Sequence, residues 1–354
     1  MLLGFAIMVA FVPNIVGAVS PTNWAVMWII SSIIILKTNV EMTAIHIIGL
    51  LFLSYVALSL LWSPHGMLQF FQLFALACCF AYASTKKDIR GIVIGLSFGL
   101  SVSAIIAILQ YFSIDIGIYQ ITPKPVGLFV NSNIFAETSA MLLILILIYR
   151  LWWFIPVTIP GVLVSSRAVI IGLATTFLVW AWSKSKILSI ISALIIASLA
   201  FIVNPNLSSI DQRFDVWRDT IEGFTLLGHG IGSFEYIFPL YAKHINVLAY
   251  HSVNAHNDIL QLIFEFGIGA VPLFIMCALL LSVDNEHKYA IIFFIVIGLF
   301  GFPLYMALTS FMAAIVAGQL AYHRLANRPL VHGIRPTISD WLAEEERSYY
   351  RIGR

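Results

Sequence analysis

Charge is the scarcest property of this chain. Only 10% of its 354 residues are Asp, Glu, Lys or Arg, whereas 60% are hydrophobic, and the mean hydropathy is +0.96. Soluble domains usually contain about 25% charged residues, so this composition excludes an ordinary soluble protein. The net charge of +2 gives no indication of a basic surface for nucleic acid. The composition predicts an integral membrane protein without a nucleic-acid partner.

Cysteines are few, and the common cofactor motifs are missing. Cys78, Cys79 and Cys277 lie in apolar runs without a CxxC pair, which indicates packing residues and argues against a disulfide or a metal site. A glycine-rich turn at 228–232 does not follow a predicted strand, so it is not a dinucleotide-binding fingerprint. No cofactor is expected.

Long polar stretches are also rare, and apolar runs of membrane-spanning length recur along the chain. The sequence therefore predicts an all-α, polytopic membrane protein with about 12 transmembrane helices. Ten or eleven spans are alternatives, because 152–164 contains Pro156 and Pro160 and because the runs that meet at Pro303 leave almost no loop. The predicted spans are 2–19, 22–36, 44–62, 67–83, 91–112, 136–149, 152–164, 168–183, 187–203, 258–282, 288–303 and 304–322.

These spans form one predicted membrane domain, residues 1–323, followed by a polar tail, residues 324–354. One larger polar loop, at about 204–257, is predicted to contain short amphipathic helices. Cytoplasmic loops retain Lys and Arg, and with the N-terminus inside, 14 of the 19 Lys and Arg residues fall on the cytoplasmic side. Both termini are therefore predicted to be cytoplasmic and the loop extracytoplasmic. The basic residues outside are Lys124, Arg167, Arg213, Arg218 and Lys243.

Two charged residues stand at predicted span ends, where charge is expensive. Glu137 follows Asn131 and Ser132, either of which can cap a helix, and a structural and a functional role for Glu137 both remain open. Arg167 precedes the apolar run 168–183. Snorkelling to the interface is one interpretation, but the positive-inside bias and the helix dipole both disfavour a cation there, which favours an anion-binding role.

The first half of the polar loop predicts an amphipathic helix that lies on the membrane face. Its apolar residues follow helical spacing: Phe214, Trp217, Ile221 and Phe224. Arg213 and Arg218 have acidic residues nearby in the sequence. Pairing with those acids and binding of a ligand are both open for these arginines.

The end of the loop continues into a polar stripe. Asp258, Gln261 and Glu265 share one face of a predicted helix, so three polar side chains enter the membrane toward the bundle interior. Such a stripe needs partners in the apolar phase. Arg167 or Arg218 is predicted to supply them.

His256 and Asn257 lie at the mouth of this stripe. An imidazole there can act as a general base near neutral pH, or it can simply end the span. A zinc site of His251, His256 and Asp258 is an alternative, although no HExxH spacing is present.

Taken together, these motifs resemble the O-antigen ligase and polymerase superfamily. The resemblance covers about residues 125–270. Its motifs are Gly127-x-Phe129-x-Asn131-x-Asn133, Ser166-Arg167, Arg213 with Trp217-Arg218, Gly228-His-Gly-x-Gly232-x-Phe234, and His256-Asn257-x-x-Leu260-Gln261-x-x-x-Glu265-x-Gly267.

The resemblance implies a bacterial inner-membrane glycosyltransferase of the GT-C type that acts at the periplasmic face in lipopolysaccharide biosynthesis. By similarity, Arg167 and either Arg218 or Arg213 hold the diphosphate of an undecaprenyl-diphosphate-linked glycan donor, without a metal. His256 deprotonates or positions the acceptor hydroxyl, and Glu137 and Asn257 support the polar stripe.

A ligase that uses lipid A core as acceptor is favoured, because His256-Asn257 and Gly267 keep the ligase spacing. Polymerisation onto another lipid-linked repeat and transfer to protein Ser or Thr share this machinery and remain alternatives. A transporter of the lipid-linked glycan is an alternative from another class. The expected partners are the lipid-linked donor, the lipid A core or another glycan acceptor, and membrane lipid.

Overall fold

The computed structural model describes residues 31, 33, 35, 38–114, 124–129, 131–164, 167–193, 208–244 and 254–326. Every regular element in these ranges is helical, which confirms the predicted all-α class. The helices, numbered along the chain, are α1 (Ala44–Ser59), α2 (Met67–Ala83), α3 (Arg90–Tyr111), α4 (Ser132–Ile148), α5 (Ile155–Leu163), α6 (Arg167–Lys184), α7 (Ser208–Glu222), α8 (Phe234–Ile237), α9 (Asp258–Phe266), α10 (Val271–Leu281), α11 (Lys288–Gly298) and α12 (Ala307–Ala326). Residues 186–193 are also helical.

Among the described residues, three helical segments are long and apolar enough to cross a membrane. They are Pro64–Ala83, Arg90–Tyr111 and Asp258–Leu281, of 20, 22 and 24 residues. Large apolar side chains are exposed on the outer faces of several helices, among them Leu51 and Ile105, as expected for a surface that contacts lipid. The predicted boundaries of 67–83 and 91–112 agree closely with α2 and α3. The predicted span 2–19 lies outside the described residues, and the span 22–36 is described only at residues 31, 33 and 35. Residues 194–203 of the predicted span 187–203 also lie outside the described residues.

The bounds of the predicted span 258–282 agree with the segment Asp258–Leu281, but the structure adds two interruptions to the predicted spans. The span 258–282 is divided into α9 and α10 by a 3-10 turn at Gly267–Ala270, where Gly267 has φ +51° and Pro272 occupies the first turn of α10. The predicted junction at Pro303 had almost no loop, but residues 299–306 form a connection between α11 and α12. This connection contains a 3-10 turn at Pro303–Tyr305, because proline cannot donate a helical hydrogen bond.

The central helices are α4 and α12. α12 packs along α2 and also contacts α4 and α11, and α4 packs against α5. Their apolar side chains form the largest cluster in the described part of the chain, in which the aromatic residues with no exposed surface are Phe129, Phe135, Phe293 and Phe311. This core holds α4 and α11, whereas α9 packs into two smaller apolar clusters through Leu262, Phe264 and Phe266.

The two ends of the bundle can be told apart by contacts along α11. At its start, Ser183 Oγ of α6 lies 2.8 Å from Tyr289 Oη, and at its end Gly172 of α6 packs against Ile297. α6 and α11 are therefore antiparallel. α4 and α9 begin, and α11 ends, at the end of the bundle that carries Arg167, here called the site end. The other end is called the opposite end.

The glycine-rich turn packs against the break between α9 and α10. A Cβ on Gly228 would lie 2.3 Å from the Glu265 carbonyl oxygen, and a Cβ on Gly267 would lie 2.2 Å from the Leu226 carbonyl oxygen. The backbone N–H of Ile268 donates to that Leu226 oxygen at 2.8 Å. Both glycines have positive φ, so the backbones approach each other closely at positions that favour glycine.

Gly267→Ala is expected to destabilise the protein by roughly 2 kcal/mol or more, because alanine is strained at positive φ and its Cβ meets backbone that cannot move alone. The matched control is Gly91→Ala in α3, where an added Cβ meets nothing within 4 Å. That control is expected to leave stability unchanged or to raise it by about 1 kcal/mol. Thermal unfolding midpoints of the two purified variants in detergent provide the measurement, and equal midpoints would contradict the close approach.

Candidate functional site

A cluster of polar side chains lies at the site end, where the protein is otherwise apolar. Within the described residues it consists of Glu137, Arg213, His256, Asp258, Gln261, Glu265 and Tyr305, and it is called the polar cluster below. α4 contributes Glu137 and α7 contributes Arg213, whereas α9 contributes Asp258, Gln261 and Glu265. The 299–306 connection runs through the middle of this cluster.

Arg213 joins the two halves of the cluster. Its Nη1 donates to the Phe300 carbonyl oxygen at 2.5 Å. Its guanidinium group is close enough to both Glu137 and His256 to interact electrostatically with each. Arg213 is only partly buried, so this cation can also be reached from the site end by a ligand.

Glu137 is buried one to two turns into α4. The Asn131 side chain caps this helix by accepting from the Asn133 backbone N–H at 2.7 Å, which confirms a predicted cap. Glu137 is 6% exposed, and a Cβ on Gly301 would lie 3.3 Å from Glu137 Oε1. The absence of a side chain at Gly301 therefore leaves space for the carboxyl group.

Asp258 fixes the 299–306 connection to the start of α9. Its Oδ2 accepts from the Leu304 backbone N–H at 3.0 Å, and Asn257 caps the helix by accepting from the Leu260 N–H at 3.1 Å. Asp258 is 6% exposed, and its Oδ1 has no hydrogen-bond partner among the residues that the structure describes. A Cβ on Gly298 would lie 3.1 Å from Asp258 Oδ2, so a glycine again makes room for a buried carboxyl group.

Gln261 and Glu265 continue the stripe, and both are directed inward as predicted. Gln261 Nε2 donates to Glu265 Oε1 at 3.3 Å, and Gln261 Oε1 accepts from the Ala255 N–H at 3.0 Å. Glu265 Oε2 accepts from Tyr305 Oη at 3.4 Å, and backbone N–H groups of Gly232 and Phe234 also donate to this carboxyl group. The glycine-rich turn is therefore a hydrogen-bond partner of the stripe.

His256 is held in an unusual backbone conformation beside Arg213. Its φ is +52°, and its ring packs edge-on against Phe302 with the centroids 5.1 Å apart. Trp217 Nε1 donates to the adjacent Ala255 carbonyl oxygen at 3.1 Å. Burial, and then the Arg213 charge, lower the pKa of His256 to about 4. At neutral pH the imidazole is therefore uncharged, with a lone pair that can accept a proton.

Arg218 and Arg167, which were predicted to pair with the stripe, both lie outside the polar cluster. Arg218 is 53% exposed and pairs with Asp215 across 2.9 Å, so it does not supply a partner to the buried stripe, and that prediction is wrong for Arg218. The reason is local, because position 218 lies on the exposed side of α7 whereas Val216 and Asp219 are buried. Arg167 is exposed at the first residue of α6, at the site end.

The structure adds residues that the sequence did not single out. Phe300 binds Arg213, Phe302 contacts His256, and Tyr305 contacts Glu265. All three belong to the connection that had been predicted to have almost no length. The available signal was Pro303 with three aromatic residues around it, a combination that interrupts an apolar helix.

One group of described side chains has the composition of a metal site. The ligand atoms of Asp219, Glu222 and His244 lie within 4.8 Å of one another. They already have partners: His244 Nδ1 is 2.5 Å from Asp219 Oδ1, and Lys243 Nζ is 2.6 Å from Glu222 Oε2. These contacts hold the three side chains together. His251, a residue of the alternative zinc site, lies outside the described residues.

Arg213 of the polar cluster can bind an anion, and the uncharged imidazole of His256 lies next to Arg213. This combination suits displacement of an anionic leaving group by a hydroxyl group, since one group neutralises charge and the other accepts a proton. Comparison of the chain with protein-family models, with curated proteins and with solved structures finds no match.

Proposed function

We propose that this protein is an O-antigen ligase-like glycosyltransferase, which moves a glycan from undecaprenyl diphosphate to a sugar hydroxyl of lipid A core. The observation that supports it most directly is the position of Arg213 between His256 and Glu137 at one end of an apolar helix bundle. The resemblance of the motifs supports the same chemistry. The reaction would take place at the periplasmic face of the bacterial inner membrane.

In this proposal Arg213 binds the donor diphosphate, since guanidinium donors match phosphate oxygens and act without a metal. The acceptor hydroxyl attacks the anomeric carbon, the bond to the diphosphate oxygen breaks, and the diphosphate carries the electron pair away. His256 Nδ1 or Nε2 accepts the hydroxyl proton. Arg167 provides a second cation at the site end, and Arg213 rather than Arg218 is the arginine from α7.

The proposed topology has about 12 spans, cytoplasmic termini and a periplasmic loop at about 204–257. Within the described ranges, three helical segments of spanning length and the apolar outer surface support a membrane domain. The charged residues of α7 and the polar cluster lie at the same end of the bundle. A periplasmic position for that end follows from the proposed direction of the Lys and Arg bias.

The direct test is reconstitution of the full-length protein in liposomes with an undecaprenyl-diphosphate-linked glycan. Three acceptors are offered separately: lipid A core, a second lipid-linked repeat, and a peptide with Ser and Thr. Mass spectrometry of the products identifies which acceptor gains the glycan, and release of undecaprenyl diphosphate confirms transfer. A glycosylated core supports the ligase, another product supports a polymerase or a protein-directed transferase, and transfer to none contradicts the proposal.

A parallel reaction with a chelator tests the proposed independence from metal. We expect the same initial rate with and without it, because the proposed diphosphate ligands are arginines. A rate that falls with the chelator and returns with one divalent cation would contradict this part, and would point to Asp219, Glu222 and His244.

The broken helix gives one reason to keep a transporter as a second candidate. α9 and α10 form a discontinuous helix, and its first half carries the buried stripe of Asp258, Gln261 and Glu265, as in the discontinuous helices of transporters. The two functions differ in their products. A transporter moves the lipid-linked glycan between leaflets of the liposome without releasing undecaprenyl diphosphate.

Substitutions of Asp258 test whether the polar cluster depends on the 299–306 connection. Asp258→Asn retains an oxygen that can accept from the Leu304 N–H, so most of the transfer activity should persist. Asp258→Leu leaves that N–H unpaired, which costs about 1–3 kcal/mol, and the displaced connection should lower transfer strongly. Initial rates and unfolding midpoints of both variants are compared, and equal rates would exclude this positioning role.

A further inference from the structure

A second polar site lies at the opposite end of the bundle. It is a cavity of about 480 Å³ between the loop that precedes α3, the end of α4, the loop before α11 and the last turns of α12. The polar cluster is at the site end, and neither Arg213 nor His256 lines this cavity. Its volume is in the range of small-molecule binding sites.

The floor of the cavity is held in place by hydrogen bonds. Tyr149 Oη is 2.7 Å from His287 Nε2, and Asn285 Oδ1 accepts from His287 Nδ1. Gln319 Nε2 donates to the Ala83 and Lys86 carbonyl oxygens at 2.9 and 2.8 Å. Tyr149, His287 and Gln319 are all buried, so the floor is formed before any ligand arrives.

The floor is uncharged but has negative character. Burial is the main cause that lowers the pKa of His287 to about 4, so its ring is neutral at pH 7. The side chain of Gln319 is completely buried, and its Oε1 has no hydrogen-bond partner within the described part of the chain. This oxygen of the floor favours a positively charged group near it.

The rim carries both signs of charge on different walls. Lys87, Asp88 and Arg90 come from the loop before α3 and its first residue, whereas Asp284 and Glu286 come from the loop before α11. Asp284 pairs with Lys288 at 3.0 Å. One wall thus offers two cations and the other two carboxylates, and this division of charge favours a ligand that carries both signs over a purely anionic one.

Exposed tryptophans place the cavity at the depth of lipid headgroups. Trp152 and Trp153 follow α4 directly beyond Tyr149, and Trp182 is near the end of α6; their exposed fractions are 55%, 92% and 55%. Lys186 Nζ lies over the Trp182 ring. Tryptophan and lysine at one level of a helix bundle are typical of the membrane–water interface.

We infer that this cavity binds the zwitterionic headgroup of a phospholipid with a primary ammonium group, phosphatidylethanolamine. Arg90 and Lys87 bind its phosphate, and Glu286 and Asp284 accept from its ammonium. Three N–H donors distinguish this headgroup from phosphatidylcholine, whose quaternary ammonium has none. Neutral overall charge distinguishes it from phosphatidylglycerol.

The test is native mass spectrometry of the full-length protein in detergent, titrated with phosphatidylethanolamine, phosphatidylcholine or phosphatidylglycerol of the same acyl chains. Binding of phosphatidylethanolamine should be about fivefold tighter than that of the other two, which corresponds to about 1 kcal/mol. The double variant Asp284→Asn with Glu286→Gln should remove the preference over phosphatidylcholine. Arg90→Gln should weaken both zwitterionic lipids alike.

The matched control is Lys184→Gln with Lys186→Gln, which removes two cations at the same end of the bundle but outside the cavity lining. It should leave all three affinities unchanged. Soluble phosphoethanolamine should displace the lipid, whereas displacement by inorganic phosphate alone would overturn the zwitterion assignment. Equal affinity for the three lipids, or equal losses in the control and the cavity variants, would also overturn it.

Discussion

Arg213→Ala is expected to lower the rate of glycan transfer by about 10²–10³-fold, the usual effect of removing one preorganised donor to a developing negative charge. In the proposed reaction, negative charge accumulates on the diphosphate as it leaves the sugar, and the neighbouring His256 is neutral. Arg213 is the cation that the structure places beside that imidazole. Glu137 also interacts electrostatically with Arg213, so the substitution leaves a buried acid without this cation.

Arg218→Ala is the matched control for the same helix. Arg218 is half exposed and pairs with Asp215 three residues away, and such surface pairs contribute about 0–1 kcal/mol. Its transfer rate should stay within about threefold of the unmodified protein. Both variants change an arginine of α7 to alanine, so a general loss of charge on this helix affects them equally.

Initial rates in reconstituted liposomes, with unfolding midpoints measured in parallel, separate chemistry from folding. Arg213→Lys keeps the charge but loses bidentate hydrogen bonding, so it should recover part of the rate. A large loss in Arg218→Ala together with a normal rate in Arg213→Ala would assign the diphosphate to the other arginine. It would leave the polar cluster without its proposed role.

The sequence predicted the parts of this structure that depend on periodicity. Asp258, Gln261 and Glu265 repeat at helical spacing, and this pattern alone indicates that they share a face that must be buried in an apolar bundle. The cap at Asn131 and the turn at the glycines are equally local. Each depends on residue types within a few positions, so no knowledge of distant contacts was needed.

The parts that could not be predicted depend on distant partners. Arg213 and Arg218 are five residues apart in one helix, and only the packing of α7 against α9 decides which side is buried. The break at Gly267 follows from its contact with the Leu226 carbonyl, 41 residues earlier. The 299–306 connection looked like the junction of two apolar runs, because the polar atoms that it offers to Arg213 and Asp258 are backbone atoms.

His256→Ala is expected to lower transfer by about 10²–10⁴-fold, the range for loss of a positioned general base. His65→Ala is the control, since His65 lies just before α2 and stacks on Tyr236 outside the polar cluster. Its rate should not change by more than a small factor. Comparable losses in both variants would indicate a general effect on the fold instead of a role in proton transfer.

The pH dependence tests the role of His256 more closely. Because burial and Arg213 lower the pKa of His256 to about 4, its neutral form exists above that pH and is lost as pH falls through it. kcat/KM, which reflects the free enzyme, should therefore decline only near pH 4. A bound diphosphate offsets the Arg213 charge, so the decline in kcat should lie at higher pH.

Arg213→Gln should move the acid limb of kcat/KM to higher pH as well, because the cation that opposes protonation of His256 is gone. An acid limb at the same pH in Arg213→Gln would contradict an influence of Arg213 on the pKa of His256.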